Sequence, residues 1–199
     1  MSELVASLSL KEFFKSLLDE VIERQRVEIA DVTEFYLVNL LSEFARTDKL
    51  FSREEDGRKE HEPLAVLYHQ ALQQERTERI QTLRRLGDVS LYTAGFFSSA
   101  LESGLVGPDY YIQMGGTAYG QVAALAPGAG FAQVYRELRD KFRALVEVLE
   151  EISARGMVQA GPSGALKVYE TWVRTGSDRL ERVLVDAGMV PRPKGQLAN

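Results

Sequence analysis

The residues best placed to do chemistry lie between positions 92 and 121, and they are almost uncharged. On a helix turning about 100° per residue, Tyr110, Gln113, Thr117 and Gln121 line up in a neutral polar stripe, with Gly116 and Gly120 beside it. Upstream, Tyr92, Gly95 and Ser99 make a second strip of small and polar residues, flanked by Phe96 and Phe97. If the two strips face one another, two outcomes are open. Glycines and hydroxyls let helices close tightly, with amides and hydroxyls satisfying each other in the core. The same glycines can instead leave a cavity, where aromatic walls and a few uncharged polar groups hold a small apolar or aromatic organic ligand. A glycine within a helix costs about 1 kcal/mol relative to alanine, so several together imply a local requirement. Closure is the expected outcome.

Other chemistries find little support. The chain has no cysteine, which excludes disulfides, thiolate nucleophiles and thiolate metal sites. Its two histidines, His61 and His69, lack the glutamate three residues earlier that a helical carboxylate–histidine metal centre uses. His69 falls on the polar edge of its helix. Glu54, Glu55 and Asp56 lack the alternation and terminal glutamate of a calcium loop. Ser163, in Gly161-Pro162-Ser163-Gly164, lacks both the nucleophile-elbow pattern and a preceding strand, so a helix N-cap is expected there. The Gly128-Ala129-Gly130 cluster lacks the strand, third glycine and acid of a dinucleotide site and reads as a loop. Tyr169 and Trp172 fall near an apolar helix face and read as core. No catalytic residue, metal ligand or cofactor is assigned.

The elements that must position these residues are helices throughout. Ser9 and Glu12 form a capping box, which starts a first helix with Leu10, Phe13, Phe14, Leu17, Leu18, Val21 and Ile22 on its apolar face. A connection over 26–31 leads to a helix over 33–44 that is apolar nearly all round, which makes it central or part of an interface. Residues 46–62 are dominated by charge and form an exposed connection. Pro63 suits the first turn of a long third helix that stops at Gly87, with Asp88 capping the next. Two charge-poor helices follow over 89–103 and 109–126.

Val134, Leu138, Phe142, Leu145, Leu149 and Ile152 then recur at helical spacing on one long helix ending at Gly156. A last helix carries Leu166, Tyr169, Val173, Leu180 and Val183 and ends at Gly188. Gly176 on its apolar face marks a close crossing, or else a second N-cap at 175–178. Residues 192–199 read as a frayed tail.

The fold class is therefore all-α: a compact bundle of about six to seven helices in a single domain over 1–191. Length and composition agree, since 199 residues with 45% hydrophobic and 27% charged residues can bury a continuous core. A net charge of −5 and a pI near 5.2 oppose general nucleic-acid binding, and Arg76, Arg79, Arg84 and Arg85 are interleaved with Glu75 and Glu78. The uncharged stretch 110–135 contains three glutamines, five glycines and Pro127, so it is no membrane span. Without a basic leader or an apolar N-terminal run, the chain is expected in the cytoplasm. The function expected is non-catalytic binding through apolar helix faces, to a protein partner or a second copy. The alternative is a small-ligand binder or enzyme using the cavity between 89–103 and 109–126.

Overall fold

The structure is a computed structural model that describes residues 2–51, 63–102, 104 and 106–191. Among the described residues there are ten helices and no strand. They are α1 (Ser2–Gln25), α2 (Asp31–Phe51), α3 (Leu64–Gln73), α4 (Arg76–Phe96), α5 (Ser98–Leu101), α6 (Pro108–Leu125), α7 (Ala129–Asp140), α8 (Phe142–Gln159), α9 (Pro162–Thr175) and α10 (Asp178–Asp186). The all-α expectation holds. None of these helices is long and apolar enough to cross a membrane.

The helix count exceeds six or seven because one expected break moves and three are added. Gly87 and Asp88 do not stop the chain: α4 runs through both. A Cβ on Gly87 would lie 2.4 Å from Cε1 of Tyr119, so this glycine admits a crossing helix. Asp88 turns inward instead of capping. The break comes earlier, at Gln74 and Glu75, whose extended backbones let α3 fold back on α4. Phe97 then separates α4 from the single turn of α5.

Lys141, at φ −102° and ψ 11°, divides the long helix expected over 134–156 into α7 and α8. Bonds from Lys141 N–H to Glu137 O (2.9 Å) and from Leu145 N–H to Lys141 O (2.9 Å) run through, so the axis kinks without ending. Val134, Leu138, Phe142, Leu145, Leu149 and Ile152 all stay buried as the spacing requires. Gly156 lies inside α8. Gly176 is left-handed at φ 64° and caps α9 by donating to Trp172 O, with open space where its Cβ would be. It is a C-cap before a second N-cap, and no helix crosses there.

Several boundaries also shift. The first helix begins at Ser2, so Ser9 is an exposed helical residue and no capping box starts α1. The connection expected over 46–62 is helical as far as Phe51, and 52–62, with His61 and Glu54–Asp56, lies outside the described residues. So does the tail 192–199. Pro162 takes the first position of α9, which puts the cap on Gly161 (φ 128°) and Ser163 within the first turn. The 128–130 cluster opens α7 instead of forming a loop.

Two apolar clusters hold the helices. The main core gathers α1, α2, α3, α4, α6, α7 and α8 around Leu18, Leu41, Leu86, Tyr119, Leu138 and Leu149, with α4 packed centrally against α6 and α8. A smaller core of Ala154, Val168, Trp172, Val183 and Leu184 joins α9 and α10 to the second half of α8. Helix α8 is common to both, and the cores meet along it.

Candidate functional site

The polar stripe of α6 does not face α4. Gln113 and Thr117 are exposed, and Tyr110 is half-buried. Nothing lies within 4 Å of a Cβ on Gly116. Helix α6 presents Gly115, Ala118, Tyr119 and Val122 to the core instead, one residue round from the expected face. A Cβ on Gly115 would stand 2.3 Å from Cζ of Phe142 and 2.8 Å from Cβ of Ser90. Gly120 lies against the Arg139 side chain, and Gln121 bonds the Tyr68 hydroxyl and accepts from Arg79 at 3.3 Å. These residues do not enclose a cavity with the α4 strip. The physical reason is volume: Tyr119 and Phe142 need the inner face, where only Gly115 leaves room.

The sequence pattern missed a buried polar cluster at this crossing. Asp88 Oδ1 accepts from the hydroxyls of Tyr36 (2.5 Å) and Tyr119 (2.8 Å), tying α2, α4 and α6 together. The Tyr135 ring packs against both tyrosines, at centroid distances of 5.6 Å. Burial pushes the Asp88 carboxyl up to about 6, although both tyrosines and Arg84 favour its charged form. The cluster acts as a structural tie, joining three helices through one carboxylate oxygen. Reading Asp88 as a cap hid it; an aspartate one turn before Leu91 and Tyr92, on the buried side of α4, was the available signal.

The α4 strip does reach a cavity, on its other side. Tyr92 is buried in a stack between Phe44 (4.3 Å) and Phe96 (4.6 Å), and Gly95 lets the Leu149 side chain approach. Gly95, Phe96 and Ser99 then line a cleft of about 340 Å³ bounded by the end of α4, α5, α8, α9 and the start of α10. Phe96, Ala154, Val168 and Leu180 supply apolar wall, and hydroxyls of Ser98, Ser99, Ser153, Thr171 and Thr175 punctuate it. The cleft lies on the seam between the two cores.

Family models, curated proteins and solved structures were all compared with this chain, and none matches. The case for a site therefore rests on geometry.

Charge in the cleft is unevenly compensated. Glu102 pairs with Arg174 at 2.7 Å, linking the turn after α5 to α9. Glu151 is buried but satisfied away from the cleft, by Gln25 at 2.8 Å and Arg155 at 3.0 Å. Glu150 is served less well: Arg179 reaches it at 3.9 Å while standing 3.0 Å from Glu147. Burial raises the Glu150 pKa, Ser98 and Arg179 oppose the rise, and Glu147 and Glu102 reinforce it. His69 is on the distant α3 with its ring hydrogen-bonded to Gln73 at 3.0 Å. Among the described residues no group of three histidines or carboxylates is gathered as for a metal ion.

Proposed function

We propose that this chain is a cytoplasmic binding protein whose ligand is a small amphipathic organic molecule, held in the cleft between α4/α5 and α8–α10. The observation that supports it is the cleft itself, about 340 Å³ and lined by both apolar and hydroxyl-bearing side chains, placed where two cores meet. Ligand sites typically occupy about 300–1,000 Å³, are mostly apolar and carry a few placed polar groups. Three of the residues singled out for ligand contact, Gly95, Phe96 and Ser99, line it. The α6 stripe is no part of this proposal.

A second reading is favoured by one observation on α2. Val32 and Phe35, one turn apart, are 64% and 66% exposed, an apolar face suited to a protein partner or a second copy of the chain. One set of measurements separates the two. In an amide NMR titration, 1-hexanol should shift signals from Ser98, Ser153 and Thr171, and Ser99→Trp, which fills the cleft, should abolish the shifts without lowering Tm. Shifts that survive Ser99→Trp overturn the cleft reading. A dimer mass in native mass spectrometry that Phe35→Ser converts to monomer supports the second.

A further inference from the structure

We propose that the cleft selects an organic cation, a protonated amine on a short apolar body, with Glu150 as the carboxylate that pairs with it. This rests on the proposed cleft and adds the chemistry of its ligand. Glu147 and Glu150 share one guanidinium, Arg179, which stands nearer Glu147, so this trio carries one negative charge in excess. Glu150 lines the cleft and is partly shielded from water, with its side chain 30% exposed, so a cation there meets a carboxylate weakly screened by solvent. Burial is the main cause of its raised pKa, and the Glu147 and Glu102 carboxylates add to it.

Hydrogen-bond polarity in the cleft points the same way. Thr171 and Thr175 donate to the carbonyls of Lys167 and Thr171 at 2.9 Å each, and Ser153 donates to Phe96 O at 3.3 Å. With these protons committed, these three hydroxyls have only lone pairs to offer, and Thr175 already accepts from Ser177 N–H at 3.4 Å. Acceptors of this kind suit a ligand head rich in N–H, as an ammonium group is. Phe96, Ala154, Val168 and Leu180 supply apolar surface for a body of a few carbons. Lys167 also lines the cleft but is solvent-exposed, where hydration screens its charge.

The test compares three six-carbon probes, hexylamine, 1-hexanol and hexanoate, by amide NMR titration at pH 7 on the full chain and on Glu150→Gln. Hexylamine should bind about tenfold more tightly than 1-hexanol and hexanoate most weakly, a margin of about 1.4 kcal/mol in affinity. Glu150→Gln should bring hexylamine to within about twofold of 1-hexanol while leaving 1-hexanol unchanged, which also shows that the variant keeps its fold. If 1-hexanol binds at a site that Ser99→Trp blocks but hexylamine gains no advantage, the charge assignment fails and the cleft stands. Tightest binding by hexanoate overturns it in favour of Lys167. Should no probe bind at that site, the cleft reading itself is overturned.

Discussion

Asp88 shows how one residue sets a property of the whole fold. Its carboxyl keeps 19% side-chain exposure and receives two tyrosine hydroxyls on one oxygen, yet loss of water dominates and raises its pKa to about 6. The sign follows from proton linkage. Between the ordinary aspartate range near 4 and the folded value near 6, the native state holds a proton that the unfolded chain has released. Stability from this group therefore falls as pH rises through that window, by up to about 3 kcal/mol. In Asp88→Asn the amide oxygen can accept both hydroxyls with no charge to bury. Urea unfolding at pH 4 and pH 7 should show the variant gaining on the parent as pH rises. An unchanged difference would mean that Asp88 titrates in the native state as it does in water.

At the scale of elements, helix crossings are decided by where a side chain is missing. Gly115 and Gly116 are neighbours of one type, yet Gly115 faces Phe142 and Ser90 at sub-contact distance while Gly116 faces open space. Gly115→Ala should cost about 1–3 kcal/mol by forcing α6 from α8. Gly116→Ala should stabilise by about 0.5–1 kcal/mol through lost chain entropy, since its backbone is already helical. Thermal melts of the two variants should move in opposite directions.

This pair also marks how far the sequence was legible. Periodicity is a property of one helix, so it found the buried face of α7 and α8 and the all-α class. Which of two adjacent glycines meets a tyrosine or phenylalanine depends on a partner far along the chain, and no local pattern carries that. Gly87, read as a stop, admits Tyr119, and of the two readings of Gly176, a crossing or a break before a second N-cap, the break is the one found, with nothing beside the glycine. The cleft was half legible. Its α4 contribution came from a small-residue strip, whereas Ser153, Thr171 and Glu150 lie on helices whose polar residues resemble any solvated face.

For the whole molecule, the unequal size of the two cores has a consequence for dynamics. The main core spans seven helices, whereas the α9–α10 unit rests on Ala154, Val168, Trp172, Val183 and Leu184. Its further attachments include ion pairs: Arg24 and Arg155 reach Asp186 at 2.6 and 3.7 Å, Arg179 reaches Glu147, and Arg174 reaches Glu102. Asp186 is 55% exposed, and pairs of this kind contribute little in water. The α9–α10 unit should therefore open without unfolding the rest, and its amides should exchange with solvent at lower free energy than those of α4 and α6. That opening would dismantle the cleft, because Val168, Thr171 and Leu180 belong to the moving part. A cleft ligand must then oppose it. Hexylamine at a hundred times its Kd should slow α9–α10 exchange about a hundredfold, equivalent to about 2.7 kcal/mol, while α4 and α6 amides change only as far as their exchange passes through global unfolding. Hydrogen exchange followed by mass spectrometry reads both. Equal exchange free energies for α9–α10 and α4 would show that the two cores unfold as one, and the seam would then be no weaker than the bundle it borders.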